Sequence, residues 1–301
     1  MVDLVKQFRS VPVMRVLLPG VAVVGIAALL VWYITDDPLR GVVYVTVTDG
    51  LSHAATITLP ELSTTTLQVA DAALLAQIPS PDGDSTASLT VSLEEGRGIV
   101  VSTSGASRTV VLHGTIPTPP AWAHDSSTFA FAVLPAESEG DTGNPATWQV
   151  VRAVANGDSL VLGHGFRPMP AFDDRVYALT ERGIELLDFG KVGEIVVASA
   201  APVHTATPFA ASPDGTQVAW VNPADRSLQV FEHTNGFFVP LLFLPGVSPH
   251  SIVFSPDGMY LLVAFQTETE TRLSRIRIDG GSTDAVGVLQ GGVALHAWHY
   301  E

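Results

Sequence analysis

The segment Phe209-Ala210-Ala211-Ser212-Pro213-Asp214-Gly215-Thr216-Gln217-Val218-Ala219-Trp220 returns 43 residues later as Ile252-Val253-Phe254-Ser255-Pro256-Asp257-Gly258-Met259-Tyr260-Leu261-Leu262-Val263. In both, an apolar run enters Ser-Pro-Asp-Gly and a second apolar run leaves it. Proline presets φ at the second turn position, aspartate hydrogen-bonds nearby backbone, and glycine accepts positive φ. Each copy therefore reads as strand, turn, strand. A weaker copy is Ala121-Trp122-Ala123-His124-Asp125-Ser126-Ser127-Thr128-Phe129-Ala130-Phe131, with His124 in the proline slot, and Ser80-Pro81-Asp82-Gly83 supplies a fourth.

Counted from the first residue of each turn, the copies start at 80, 123, 212 and 255, so their separations are 43, 89 and 43. The long gap is about two periods, and Pro170-Ala171-Phe172-Asp173-Asp174-Arg175-Val176-Tyr177-Ala178-Leu179 fills it as a degenerate copy. A final copy begins at Ala294, with Trp298 standing 44 residues after Phe254. Everything beyond residue 40 consists of short Val/Ile/Thr/Phe-rich runs broken by Gly, Pro, Asp and Asn, the texture of an all-β domain. A repeat of ~40–45 residues with four strands per unit is the signature of β-propeller blades.

The aromatic or small residue ahead of Ser-Pro-Asp-Gly and the apolar strand behind it resemble the repeat of TolB-like and WD40-like propellers, over residues 42–301. Gly41-Val42-Val43-Tyr44-Val45-Thr46-Val47-Thr48 also resembles the opening of surface-layer-type propeller repeats. These families share a scaffold and not an activity, so the resemblance implies shape alone.

The last repeat ends at Glu301 after only its innermost strand, which leaves that blade three strands short. Residues 42–48, 56–59 and 66–69 offer three strands, and we expect them to pair with the strand around Ala294–Trp298 and close a six-bladed ring. Closure hides both terminal edges, which otherwise invite pairing with other chains. The expected blades are 74–114, 120–164, 169–200, 208–245 and 251–290, with 42–70 joined to 293–301.

Ahead of the propeller, residues 16–34 form nineteen consecutive positions without a charge, close to what a helix needs to span a ~30 Å hydrocarbon core. Trp32-Tyr33 sits at the far end as an interfacial pair, and Asp36-Asp37-Pro38 stops the span. The leader 1–15 holds Lys6, Arg9 and Arg15 against Asp3, so the N-terminus is expected in the cytoplasm, and the propeller, after a tether over 35–41, in the periplasm. No small-x-small cleavage pattern follows the apolar stretch, which favours an uncleaved anchor over a signal peptide. Ala22, Gly25 and Ala28 make a small-residue stripe on which another membrane helix would pack closely.

The 301 residues are 47% apolar and 15% charged, which excludes a disordered or collagen-like chain. Fifteen basic residues against thirty acidic ones leave a net charge of −15, which argues against binding nucleic acid. No cysteine is present, so disulfides, thiolate-bound zinc, iron–sulfur clusters and thiol catalysis are excluded together.

Motifs that carry chemistry are scarce. There is no Gly-x-Ser-x-Gly elbow, no phosphate-binding Gly-rich loop, no His-Glu-x-x-His and no EF-hand loop. His296 and His299 form the one close histidine pair, but residues three apart on a strand face opposite ways, so a structural role is expected ahead of a metal. The acidic insertion around Glu137, Glu139 and Asp141 is a solvated loop and a candidate partner contact; its spacing matches no calcium pattern.

The reading that follows is a non-enzymatic accessory subunit, without a cofactor, that docks integral-membrane subunits of a respiratory, photosynthetic, secretion or envelope complex. The alternatives are a channel sensor for a small ligand, or a lactonase-like or glycan-cleaving propeller using Asp173, Asp174, Asp214 or Asp257.

Overall fold

The computed structural model describes residues 40–48, 52–67, 73–92, 96–103, 106–110, 118–138, 140–155 and 157–299. The chain divides into two units, Met1–Arg40 and Gly41–Glu301. The expected leader, membrane span and Ala22, Gly25 and Ala28 stripe lie outside the described residues. Among the described residues no helix is long and apolar enough to cross a membrane.

Among its described residues the second unit carries twenty-four strands in six four-stranded antiparallel sheets. In chain order the first three strands, β1 (Gly41–Thr48), β2 (Ser52–Leu59) and β3 (Ser63–Thr66), belong to the closing blade. Blade 1 comprises β4 (Ala73–Pro79), β5 (Ser85–Ser92), β6 (Gly96–Thr103) and β7 (Ala106–Val110). Blade 2 follows with β8 (Ala121–Trp122), β9 (Thr128–Val133), β10 (Gln149–Val154) and β11 (Ser159–His164). Blade 3 is β12 (Phe166–Pro170), β13 (Val176–Thr180), β14 (Gly183–Leu187) and β15 (Glu194–Ala198). Blade 4 is β16 (Phe209–Ala211), β17 (Gln217–Val221), β18 (Leu228–Thr234) and β19 (Phe237–Leu244). Blade 5 is β20 (Ser251–Phe254), β21 (Tyr260–Gln266), β22 (Glu270–Arg277) and β23 (Thr283–Gln290).

Blade 6 is assembled from both ends of the unit, in the order β24 (Gly292–His299), β1, β2, β3. The predicted closure is therefore present, with Val43 opposite Trp298 and Val47 opposite Val293. The third N-terminal strand differs from expectation: it runs Ser63–Thr66 and not 66–69. A tight turn after Leu59, closed by Leu62 N–H on the Thr58 carbonyl at 2.8 Å, brings the chain back three residues sooner than expected. Blade 3 likewise starts earlier, at Phe166, and Gly41 belongs to β1 and not to the tether.

Burial runs from the middle of each blade outward. Strands β9, β13 and β14 are buried at every position, whereas the outer strands β3 and β11 are mostly exposed. The apolar layers lie between neighbouring blades: Ala76, Leu89 and Ile99 of blade 1 pack on Phe129, Phe131 and Val151 of blade 2. Tyr177 and Leu179 of blade 3 meet Phe209 and Trp220 of blade 4. Hydrogen bonds tie successive inner strands one repeat apart, from Trp122 Nε1 to the Ile78 carbonyl at 2.9 Å and from Leu295 N–H to Ser251 Oγ at 2.9 Å. Trp148, Trp220 and Trp298 are buried and Trp122 is half-buried at the channel.

Candidate functional site

The turns after the innermost strands build one end of the axial channel, and three of them are the same device. Ser80, Ser212 and Ser255 each donate Oγ–H to the aspartate two residues on, at 2.5 Å in all three. Each serine Oγ in turn accepts the backbone N–H five residues on, at 3.0, 2.9 and 2.9 Å. Gly83, Gly215 and Gly258 close the turns with φ of 77°, 70° and 70°. Hydrogen bonds from the Ser80 hydroxyl and the Asp84 N–H hold the Asp82 carboxyl below its ordinary range. Burial pushes the Asp214 carboxyl up, yet bonds from Ser212 and Thr216 outweigh it and leave it depressed. These carboxylates are committed to holding backbone.

Blade 2 keeps the turn without the serine. Ala123 replaces it, Ser126 takes the glycine position at φ 60°, and Asp125 accepts from Ser127 Oγ at 2.6 Å. Blade 3 abandons the pattern: Asp173 and Asp174 both have positive φ, at 55° and 63°, giving a tighter turn closed by Ala171 N–H on the Arg175 carbonyl. The two carboxylates point outward, Asp174 to Arg152 at 2.5 Å and Asp173 to Arg175 at 3.7 Å. The Arg175 guanidinium lies 4.1 Å over the Phe172 ring.

Two cavities adjoin these turns, each of about 350 Å³. One brings Asp173, Asp174 and Asp214 together with Asp125, Arg152 and Arg175 between blades 2, 3 and 4; Asp257 lies elsewhere. The other is the mouth of the axial channel. All six blades line it, with Ile78, Trp122, Met169, Pro213, Phe254 and Trp298 as representatives, and among the described residues no Asp, Glu, Lys or Arg borders it. His124 stands in the collar beside Pro81, Pro213 and Pro256, as expected for the occupant of a proline slot.

His296 and His299 both border this mouth, where alternation predicts opposite faces. The reason is a β-bulge: Tyr44 pairs with Ala297 and Val45 with Leu295, so His296 is an extra residue and turns toward the axis. Thr46 Oγ1 donates to the Leu75 carbonyl at 2.6 Å and lies 2.7 Å from His296 Nε2. With its one hydrogen spent on Leu75, the hydroxyl accepts from Nε2–H, which places the neutral His296 proton on Nε2 and leaves Nδ1 as an acceptor. Burial and then the positive charge of Arg167 push the His296 pKa down to about 3. Burial also lowers His299, whose ring meets Tyr44 edge-on at 5.6 Å. Among the described residues no group of three His, Asp or Glu side chains is placed to hold a metal ion.

The acidic loop carries its own order. Asn144 caps a short 3₁₀ turn at Pro145–Thr147 through Ala146 N–H at 2.9 Å and donates to Asp141 at 3.1 Å, while Trp148 Nε1 donates to the Thr142 carbonyl. Glu137 lies in a preceding 3₁₀ turn, and Glu139 falls outside the described residues.

A surface absent from the sequence reading lies at the rim. Strand β19, Phe237-Phe238-Val239-Pro240-Leu241-Leu242-Phe243-Leu244, is the outermost strand of blade 4, and one of its edges is unpaired among the described residues. Phe237 is 75% and Phe243 56% exposed, with Val239 and Leu241 also open to solvent. A run of eight uncharged residues reads as a buried strand, so only the sheet order reveals its position.

No family model matches the chain, and no curated protein matches it in sequence. Similarity is found among solved structures. TolB from Acinetobacter baumannii superposes with a TM-score of 0.63 over 87% of this chain and 67% of its own, at 16% identity. A puromycin-hydrolysing peptidase from Mycobacterium tuberculosis gives 0.58 over 82% of this chain and 44% of the peptidase, at 14% identity. An oligogalacturonate lyase in complex with manganese gives 0.53 over 79% and 71%, at 13% identity. This chain thus spans less than half of the peptidase's length. At such identities the likeness concerns fold alone, and the fold is a TolB-like six-bladed β-propeller whose neighbours include enzymes.

Proposed function

We propose that this chain is a non-enzymatic docking subunit, anchored in the cytoplasmic membrane through residues 16–34, whose periplasmic propeller holds a protein partner within a larger membrane complex. The observation that carries the reading is the apolar outer strand β19. An edge unpaired among the described residues, with Phe237 and Phe243 exposed, is a surface that soluble proteins ordinarily blunt with charge. A partner strand laid along it gains backbone hydrogen bonds, and its side chains cover the phenylalanines. Val192, 88% exposed on the neighbouring blade 3, adds further apolar surface at the rim.

Support also comes from how the candidate catalytic carboxylates are used. Asp214 and Asp257 brace turns, and Asp173 and Asp174 lie beside arginines at the surface. The peptidase and lyase activities belong to the neighbours that carry those names.

The test is mild-detergent purification of the full-length protein beside a Phe237→Glu/Phe243→Glu variant, with a photo-crosslinking residue at Val239 to mark what touches β19. The expected result is a stoichiometric membrane-complex subunit that crosslinks at 239 and is lost from the double variant while the melting transition is kept. Retention of the same partner by the double variant would overturn the reading, as would recovery of a partner-free wild type.

A further inference from the structure

The mouth of the axial channel is walled by aromatic, thioether and proline side chains. Trp122, Met169, Phe254 and Trp298 stand there with prolines of blades 1, 3, 4 and 5. Among the described residues no Asp, Glu, Lys or Arg borders the cavity. An ionised ligand group would lose its water there and meet no opposite charge, so this lining selects an uncharged occupant.

Two of the polar side chains at the mouth are already spent. Ser212 Oγ donates to Asp214 at 2.5 Å and accepts the Gln217 N–H at 2.9 Å, and Trp122 Nε1 donates to the Ile78 carbonyl at 2.9 Å. His296 is not. The bulge opposite Tyr44 and Val45 turns its ring to the mouth, and Nε2–H is given to Thr46 Oγ1 at 2.7 Å, which leaves a lone pair on Nδ1. Nδ1 has no hydrogen bond among the described residues and is not sealed off as His250 Nδ1 is, so it opens onto the cavity that the ring borders. With a pKa of about 3 the ring stays neutral and keeps that lone pair. His299, at the same mouth, meets Tyr44 edge-on and has no side-chain hydrogen bond among the described residues.

An open acceptor in an apolar cavity calls for a donor carried on an apolar body. Three aromatic side chains and a methionine favour an aromatic body over an aliphatic one. An aromatic hydroxyl, with a pKa near 10, is neutral at pH 7 and a stronger donor than an alcohol. Size agrees: a cavity of about 150 Å³ takes one benzene ring, so about 350 Å³ takes two fused rings.

We propose that the mouth of the axial channel binds a small uncharged phenol of one or two rings, its hydroxyl donating to His296 Nδ1 and its ring held among Trp122, Met169, Phe254 and Trp298. The site lies apart from the rim strand β19 and goes beyond docking there, so either can fail without the other.

The probes share one frame and differ in the head: 2-naphthol, its methyl ether and 2-naphthoate. Each is titrated by calorimetry at pH 7 into the full-length protein in mild detergent, with detergent alone as the blank. Saturable binding of 2-naphthol is expected, with the ether weaker by about fivefold or more, since it leaves Nδ1 without a donor, and the naphthoate weaker still. Met169→Trp, whose indole fills the cavity, should abolish binding. His296→Phe keeps a ring and removes the acceptor, and should bind naphthol and its ether alike. Melting transitions of both variants report their folding, and the preference of the wild type among the three heads needs no variant at all. Absence of saturable 2-naphthol binding overturns the proposal. Equal binding of naphthol and ether by the wild type does so too, as does tighter binding of the naphthoate or binding that Met169→Trp leaves unchanged.

Discussion

In blades 4 and 5 the innermost strand ends on a serine that clamps an aspartate and the backbone five residues on, and the two turns agree to within about a tenth of an ångström in these bonds. In blades 3 and 6 the innermost strands are bulged, at Arg167-Pro168 and at His296, and the blade 6 bulge turns His296 to the axial mouth. The repeat spends its polar groups inside the turns; the departures from it pair theirs elsewhere, His296 with Thr46 and Asp174 with Arg152. The difference teaches that in this ring a repeated residue is architectural, and that candidate chemistry is found where the repeat is broken.

The sharpest way to break the comparison is inside the regular pair itself. Gly215 and Gly258 share φ of 70° in the same turn, so an added methyl strains both by about 1–2 kcal/mol. Their surroundings differ. A Cβ on Gly215 meets the Ala171 carbonyl carbon at 2.6 Å and the Phe172 nitrogen at 2.7 Å, backbone of the irregular blade 3 turn, whereas on Gly258 it meets only Ser212 Cβ at 3.9 Å. Displacing backbone adds about 1–3 kcal/mol, so Gly215→Ala should cost about 3 kcal/mol or more and Gly258→Ala about half as much. Denaturant unfolding of the two variants checks this. Equal losses would mean that the blade 3 turn yields freely and is not fitted to its neighbour.

A second, smaller effect separates His296 from the turns. Its folded pKa of about 3 lies below the 6.5 of the unfolded chain, so between those values the unfolded state binds the extra proton. Stability then rises with pH in that window and is lost as pH falls from 6.5 toward 3. From pH 6.5 to 5 the share from His296 is about 2 kcal/mol. Unfolding followed at pH 7 and pH 5 should show a loss that His296→Gln reduces and does not remove, because His299 is lowered in the same direction. An identical pH response in wild type and variant would place His296 in water, outside the enclosed channel.

Much of the architecture is legible in the residues, because spacing survives where identity does not. Blade 3 was found through a gap of two periods and not through its turn, which has lost both serine and glycine. The closing blade follows from counting strands, and Val42 to Thr48 alternate as a strand must. The bulges were not legible. A single extra residue shifts the phase of a strand without changing its composition, so His296 and His299 read as facing opposite ways and Arg167 passed as an ordinary arginine in a short strand. The rim was missed for another reason. Apolarity announces burial, and nothing in Phe237 to Leu244 tells that the strand is outermost; only Pro240, unable to donate to a ladder, hints at an edge.

The smallest prediction returns to the two kinds of turn. Asp214 accepts from Ser212 Oγ, Thr216 N–H and Thr216 Oγ1, whereas Asp174 faces solvent and meets the Arg152 guanidinium at its rim. Both carboxylates are exposed enough for water to screen them, so neither effect reaches the cost of a buried charge. Asp214→Ala leaves the Ser212 hydroxyl and a backbone N–H without their acceptor and should cost about 1 kcal/mol. Asp174→Ala removes only an exposed ion pair, of the kind that contributes a few tenths of a kcal/mol. Salt distinguishes them further: raising ionic strength should erase the Asp174 effect and leave most of the Asp214 loss, since hydrogen bonds inside a turn are not screened as an open ion pair is. Thermal unfolding of the two variants at low and high salt checks both halves. A larger loss at Asp174 than at Asp214 would reverse the assignment of architecture to the repeated residue and of a surface ion pair to the divergent one.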